Sequence, residues 1–267
     1  MDTLRNFMIW ILLEGVALLA AIALFMLALE VGFRLGARQQ AKSDEPDKTH
    51  VNALHGAVLG LLALLLGFTF AMAVSRYENR KTLMVDQANA IGTAALRGSV
   101  LPPPHAARTQ VLFRDYIQTR FLYNASVRGS QGIADAEARA SQIENELWAI
   151  AGKLLTEDPR SQPASLFMQA LNDMFDIREK RRFALDDRVP GAVMFMLFAV
   201  SIVAMGLVAY ASGLNGRRHI LSNFIFAFLI ALVLIIIFDI DSPRVGFVKA
   251  SQDSLIRLDQ SMAPAPN

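Results

Sequence analysis

The sequence VLGLLALLLGFTFAMAV, from Val58 to Val74, carries no charge and continues directly into SRYENRKTLMVDQANAIGTAALR, from Ser75 to Arg97. Neither stretch contains proline, and Gly92 is the only weak interruption in the second. A helix rises about 1.5 Å per residue, so an apolar run of this length can cross the roughly 30 Å hydrocarbon core of a bilayer. We therefore predict one uninterrupted helix from Val51 to Arg97 that joins the membrane to the water outside it.

The rest of the chain contains further apolar blocks of similar length. Of its 267 residues, 54% are hydrophobic and only 19% are charged. Four blocks are near or above the roughly 20 residues that a spanning helix needs; they are 7–33, 51–75, 190–212 and 220–238. The first block is longer than the apolar core of a secretory signal, so we interpret it as a retained helix. The composition thus indicates a multi-pass membrane protein.

Several classes of function have no support in the sequence. The chain has no cysteine, which excludes disulfides, thiolate metal sites and a cysteine nucleophile. Its net charge of +2 is too small to indicate nucleic-acid binding. Four histidines lack metal-ligand spacing; they are His50, His55, His105 and His219. No nucleophile elbow, Walker loop or dinucleotide motif is present. We therefore predict no catalytic residue, no cofactor and no metal site.

The basic residues that flank the four spans predict the orientation. With four spans, both termini and the segment between spans two and three share one side of the membrane. Eleven basic residues lie near the membrane on that side: Arg5, Arg76, Arg80, Lys81, Arg178, Lys180, Arg181, Arg182, Arg188, Arg244 and Lys249. Six lie on the other: Arg34, Arg38, Lys42, Lys48, Arg217 and Arg218. The positive-inside rule therefore predicts cytoplasmic termini.

The segment between the second and third spans is helical in pattern. Pro102, Pro103 and Pro104 end the long helix, and a new helix is expected from about Ala106. An apolar stripe follows at Ile143, Leu147, Ile150 and Leu154, and a third helix is expected from Ala164 to Asp186. These helices can bury their stripes against one another as a bundle.

The expected fold is all-α, with four transmembrane helices, a cytosolic helical bundle between helices 2 and 3, and a short C-terminal cytosolic helix. The boundaries are two transmembrane hairpins at 1–75 and 189–240, a cytosolic domain at 76–188, and a C-terminal helix and tail at 241–267. Asp241 or Ser242 is expected to cap that last helix, with Pro243 at its first position.

One face of the long helix is the candidate functional surface. Small residues recur every three or four positions in the span: Gly56, Gly60, Ala63, Gly67 and Ala71. Polar residues recur below it: Asn79, Thr82, Asp86, Asn89 and Thr93. The small set either packs within one subunit or meets neighbouring subunits or a pore axis. The polar set is either a solvated face or a hydrated vestibule. The candidate pore or packing face comprises Gly56, Gly60, Gly67, Phe68, Phe70, Ser75, Arg76, Asn79, Asp86 and Asn89.

Four acidic residues lie in or beside the spans. Glu14 and Glu30 are about 160° apart around a helix, so they do not form one site. An ionised group near the bilayer centre is costly and usually needs a partner or water. We expect Glu30 at the interface, while Glu14 lies either near the inner interface or at a buried site with such a partner. Asp239 and Asp241 form a D-x-D pair that suits either a hard cation or helix capping with an ion pair to Arg244.

Two segments resemble the hallmarks of the bestrophin-like membrane proteins. The first is GLLALLLGFTFAMAVSRYENRKTLMVDQANAIGTAALR, from Gly60 to Arg97, and the second is DIDSPRVGFVKASQDSL, from Asp239 to Leu255. The second contains Asp239, Asp241, Pro243 and Arg244. The order of spans and helical segments is also similar. The resemblance relates the chain to bestrophins, which are pentameric anion channels with four spans, and implies that the second span lines a pore. No counterpart of the bestrophin neck motif or calcium clasp is present, so no selectivity or calcium residue is transferred.

The leading hypothesis is a homo-oligomeric ion channel in the lipid bilayer of the bacterial inner membrane. The alternative is a non-conducting membrane scaffold or sensor whose cytosolic helices bind a protein partner. The absence of selectivity rings beside a large helical domain favours this alternative. Neither hypothesis involves nucleic acid or an enzymatic reaction.

Overall fold

In a computed structural model of the chain, which describes residues 2–126, 130–243 and 251–262, every regular element is a helix. The helices are α1 (Asp2–Gln39), α2 (Glu45–Ser99), α3 (His105–Ala125), α4 (Gln131–Glu157), α5 (Gln162–Asp186), α6 (Gly191–Leu214), α7 (Ile220–Asp241) and α8 (Asp253–Ser261). A single 3-10 turn, Gln40–Lys42, follows α1. The chain divides into two units. The first contains Met1–Arg76 and Arg188–Val248, and the second contains Tyr77–Asp187 and Lys249–Asn267.

Four helical segments of the described chain are long and apolar enough to cross a membrane. They are Glu14–Lys42, Glu45–Ser99, Gln162–Leu214 and Ile220–Asp241. Within the third segment, Gln162–Leu214, the part without a charged residue is α6. The four predicted spans are therefore confirmed as apolar helices. The prediction of an unbroken helix beyond the second span is also confirmed, because α2 continues to Ser99.

The start of α2 lies six residues before the predicted span, at Glu45. Asp44 and Asp47 bond reciprocally there: the Asp47 amide donates to Asp44 Oδ1 at 3.0 Å, and the Asp44 amide donates to Asp47 Oδ2 at 3.4 Å. Such a pair satisfies amide groups that have no partner in the first helical turn. Pro46, which needs no amide partner, lies between them. This local cap extends α2 beyond its apolar run.

In the first unit, α1 packs along α6 and also contacts α7. The α1–α6 contact is close because glycines face it from both helices. A Cβ at Gly32 would collide with the backbone of Gly206, one at Gly36 with that of Tyr210, and one at Gly213 with that of Phe33. Next to these glycines, Phe25 is fully buried, with its ring centroid 6.5 Å from that of Phe198. Small residues thus allow the backbones to approach within the membrane segment.

The second unit has its own hydrophobic core. It is formed by α3, α4, α5, α8 and the part of α2 that follows Arg76. The largest apolar side chains in it are Ile91, Phe113, Ile117, Ile143, Leu147, Phe167, Leu171 and Met174. The rings of Phe113 and Phe167 meet edge to face at 6.3 Å. The ring of Trp148 lies 6.1 Å from that of Phe175, which joins α4 to α5.

The predicted start of the C-terminal helix is wrong. Asp241 is the last residue of α7, Ser242 and Pro243 are not helical, and α8 begins at Asp253. Both carboxylate oxygens of Asp241 instead accept the amide proton of Val189, at 3.0 and 3.1 Å. Because Asp241 is held by a residue 52 positions away, it does not cap a following helix. Arg244, the predicted ion-pair partner, lies outside the described residues.

Candidate functional site

The membrane part of α2 has two faces with different surroundings. Buried residues recur at spacings of four, three and four: Leu62, Leu66, Thr69 and Ala73. The small residues Gly56, Gly60, Ala63, Gly67 and Ala71 are all exposed in this chain. At about 100° per residue, the two sets are centred roughly 130° apart around the helix. The small-residue face is therefore turned away from the side on which α2 packs within its own unit.

The glycines of this face meet nothing in the described part of the chain. A Cβ built at Gly56, Gly60 or Gly67 has no heavy atom within 4 Å. This open environment contrasts with that of Gly32 and Gly36, where an added Cβ would strike backbone. Among the described residues these three glycines therefore have no packing partner within the subunit. Contact with a neighbouring subunit or a pore axis, the other interpretation of the small set, stays a prediction.

Two other candidate residues of the span, Phe68 and Phe70, lie on either side of the small-residue face. Phe68 and Phe70 are 65% and 42% exposed, although each has a ring that could fill a core. Ser75 is exposed and Arg76 is half-buried. Two large aromatic rings therefore stand at the border of a face that is otherwise small, where they would narrow any space in front of it.

The polar residues after Arg76 lie on the outer face of the second unit. Asn79, Thr82, Asn89 and Thr93 are exposed and Asp86 is half-buried, while Ile91 and Ala94 on the opposite face are fully buried. An open groove of about 370 Å³ runs beside this face. Its polar lining comprises Asp86, Asn89 and Thr93 of α2 and Asp173, Asp176 and Lys180 of α5. The groove has three carboxylates and one ammonium, so its electrostatic potential favours cations.

The described residues offer no metal centre. None of their His, Asp and Glu side chains form a group of three or more that could hold a metal ion. Asp239 and Asp241 are both buried, and the oxygens of Asp241 are occupied by the Val189 amide. The structure thus gives Asp241 a role that neither prediction for this pair named, as acceptor for the backbone amide of Val189. Pro243 follows as a bend outside the helix.

A buried polar network in the second unit was not predicted. Glu144 of α4 accepts a hydrogen bond from Tyr116 of α3 at 2.8 Å and one from Arg178 of α5 at 2.6 Å. Burial raises the pKa of the Glu144 carboxyl above its usual range, while the positive charge of Arg178 and the hydrogen bond from Tyr116 oppose that shift. Burial also raises the pKa of the Tyr116 hydroxyl, and the nearby Glu144 carboxylate raises this pKa further. This network ties three helices together.

A second buried cation lies beside this network. Arg120 is only 1% exposed, and its guanidinium carbon lies 4.5 Å from the centroid of the Tyr123 ring and 5.7 Å from that of Tyr116. Its Nη2 is 3.5 Å from Glu137. Stacking on aromatic faces compensates part of the cost of burying a guanidinium. The sequence carried a usable signal for Glu144, because it is a charged residue within the apolar stripe of α4.

Comparison with known proteins assigns the family. The sequence profile of the bestrophin-like domain matches residues 17–255, which includes both hallmark segments. The chain belongs to the bestrophin-like family. No curated protein matches this bestrophin-like sequence significantly.

Solved structures share the bestrophin-like fold over nearly the whole chain. A crystal structure of a bacterial bestrophin homologue from Klebsiella pneumoniae, solved by zinc phasing, matches with a TM-score of 0.66 at 15% identity and covers 92% of this chain and 96% of that one. A singly substituted form of the Klebsiella pneumoniae homologue has a TM-score of 0.66 at 14% identity, with 93% and 97% covered. A further crystal structure, of a protein named only as a membrane protein, reaches 0.67 at 14% identity, with the same coverage. At these identities the likeness shows the fold.

Proposed function

We propose that this bestrophin-like chain assembles into an oligomeric ion channel in the bacterial inner membrane, with the membrane part of α2 lining the ion path. The observation that carries the proposal is the open small-residue face of α2. Glycine is the least favourable helix residue except proline, costing about 1 kcal/mol relative to alanine. Gly56, Gly60 and Gly67 bring no close packing within the described part of the chain. Their role is therefore sought outside the single chain, at a subunit contact or beside a pore.

The proposed orientation places both termini and the second unit in the cytoplasm. It rests on the eleven basic residues near the membrane on that side, against six on the other. In this arrangement α3, α4 and α5 form the cytosolic bundle and α8 is the cytosolic C-terminal helix. The polar face of α2 after Arg76 then borders a hydrated vestibule, and the groove carboxylates make that vestibule attractive to cations.

The first experiment is to determine the oligomeric state of the purified protein and then to measure ion flux in liposomes. Replacing Phe68 or Phe70 by Ala removes a ring beside the proposed path, so flux is expected to change. The matched control is Phe195→Ala on α6, which removes an equally large ring that is 76% exposed and belongs to another helix. Flux in the control should equal that of the wild type.

Two results would contradict the proposal. One is a monomer in the membrane, because four helices of one chain leave little room for a pore. The other is a verified oligomer that conducts neither cations nor anions, or whose flux responds to Phe195→Ala as strongly as to the α2 variants. A separate measurement addresses the vestibule: Asp86→Asn should lower the preference for cations over anions, read from the reversal potential across an ion gradient.

A further inference from the structure

A charged triad lies at the end of the first unit where α1 and α7 meet the water layer. Glu30 Oε1 accepts a hydrogen bond from Arg34 Nε at 2.6 Å and another from Arg218 Nη2 at 3.3 Å. Arg34 is one turn further along α1, and Arg218 precedes α7. One carboxylate oxygen therefore brings together the guanidinium group of a residue in α1 and that of a residue in the connection between α6 and α7.

The triad is positively charged and partly unsatisfied. Two guanidinium groups and one carboxylate leave a net charge of +1. The Arg34 and Arg218 side chains are 68% and 50% exposed. Each uses one nitrogen on Glu30, and a guanidinium carries five N–H donors, so further donors remain for an anion. Arg218 also lies over the Phe33 ring, 4.3 Å from its centroid, which favours this position of its guanidinium beside α1.

The sequence places this cluster at the level of lipid headgroups. Between Glu14 and Glu30 no residue of α1 is charged, and Arg34 is the first cation after that run. On the other helix Arg218 comes just before an uncharged run from Ile220 to Phe238. The two arginines thus mark the same end of two spanning segments, where basic side chains meet the membrane surface.

Exposed apolar side chains lie within one turn of the triad residues along the chain. On α1 these are Leu27, Val31 and Leu35, each four residues after the one before, and on α7 they are Ile220 and Leu221. All are exposed in the single chain. The acidic residues that follow in sequence make other contacts: Glu45 pairs with Lys48 at 2.9 Å, and Asp44 bonds with Asp47.

We propose that Arg34 and Arg218, held by Glu30, bind the phosphate of an anionic phospholipid. The planar guanidinium groups donate paired hydrogen bonds to phosphate oxygens, and the net positive charge complements the headgroup. The exposed apolar rows on α1 and α7 contact the acyl chains of the same lipid. A lipid, rather than free phosphate, is the ligand that fits both the charge and these rows.

The test compares two double variants that remove the same charge from the same end. Purified protein is mixed with phosphatidylglycerol or phosphatidylcholine of identical acyl chains, and bound lipid is counted by native mass spectrometry. The wild type should retain phosphatidylglycerol in preference to phosphatidylcholine. Arg34→Gln with Arg218→Gln should lower that affinity about tenfold. Arg38→Gln with Arg217→Gln, which leaves the triad intact, should lower it much less.

Three outcomes would overturn the proposal. They are no preference for phosphatidylglycerol in the wild type, equal losses in the two double variants, and complete displacement of the lipid by excess inorganic phosphate, which would identify free phosphate as the ligand. If the glutamine pair fails to fold, Arg34→Lys with Arg218→Lys replaces it. That pair keeps the charge but loses the planar donors, so its retention of phosphatidylglycerol must fall below that of Arg38→Lys with Arg217→Lys.

Discussion

The glycines of α1 and α6 and the glycines of α2 follow the same spacing but meet different surroundings. Gly32 and Gly36 are four residues apart, and Gly206 and Gly213 are seven apart. In α2 the intervals from Gly56 to Gly60 and from Gly60 to Gly67 are also four and seven. In the first set three of the four glycines lie against backbone, whereas the three glycines of α2 have nothing within 4 Å of an added Cβ.

A pattern of small residues therefore predicts that something can approach the helix closely, but it does not identify the neighbour. The glycines of α1 and α6 pack against each other's helix within one chain, where they allow the two backbones to touch. The α2 glycines keep the same capacity for a surface outside the chain.

Gly32→Ala is expected to be the most damaging small change in the first unit. The new Cβ would collide with the backbone of Gly206, which cannot move aside like a flexible side chain. The expected loss is about 3 kcal/mol of unfolding free energy. The control is Gly206→Ala on the facing helix, whose Cβ would have only Ala28 O nearby, at 4.0 Å. Thermal unfolding in detergent should separate the two variants, and equal losses would contradict the described contact.

Asp241→Ala tests a polar group that has a partner within the chain, the carboxylate that accepts the Val189 amide proton. It removes both acceptors from the Val189 amide and leaves that amide buried without this partner. The expected loss is about 2 kcal/mol. Asp241→Asn keeps one carbonyl acceptor and should lose clearly less in the same thermal unfolding measurement. If both variants unfold like the wild type, the hydrogen bond to Val189 does not stabilise this unit.

Glu144 should make stability depend on pH. Because burial raises its pKa in the folded state, the unfolded chain gives up this proton more readily than the folded chain. Its contribution is therefore complete below the ordinary glutamate pKa of about 4.5 and is lost as pH rises through the raised folded value. Glu144→Gln cannot ionise, so its unfolding temperature should vary less between acidic and neutral pH. If the unfolding temperature of Glu144→Gln depends on pH as strongly as that of the wild type, Glu144 is not the cause of this pH dependence.

Gly60→Ala should have the smallest effect on the stability of the chain itself. Nothing in the described chain opposes the added methyl group, and alanine favours the helix, so the change should stay within about 0.5 kcal/mol. Oligomer dissociation or ion flux should nevertheless change, because the open face is where a neighbour or a path would be. A large loss of chain stability would show instead that this face is covered within the subunit.

The spanning helices could be predicted because uncharged runs of this length have one stable arrangement in lipid. Their ends could be predicted less well. The α2 start depends on the Asp44–Asp47 cap, for which the sequence carries a signal in the pair of aspartates around Pro46. The pair of Asp241 and Val189 has no local signal, since the two residues are 52 positions apart. The helix-capping motif at Asp241 to Pro243 therefore led to a wrong start for the last helix.

The candidate site could be predicted as a set of residues but not as a surface. Spacing selects Gly56, Gly60 and Gly67, yet it selects Gly32 and Gly36 equally well. Which set is covered depends on the tertiary packing of α1 on α6, and periodicity carries no information about it. The network around Glu144 could be predicted only in part. A charged residue within an apolar stripe indicates that its side chain is buried, but its partners on α3 and α5 are determined by the tertiary packing.

The contact between Trp148 and Phe175 has a practical use. The chain has only two tryptophans. Trp10 belongs to the first unit and Trp148 to the second. In a Trp10→Phe variant all indole fluorescence would come from Trp148, whose emission should shift when α4 separates from α5. That optical signal follows the second unit alone, so comparing it with circular dichroism of the whole chain would show whether the two units melt together or one after the other.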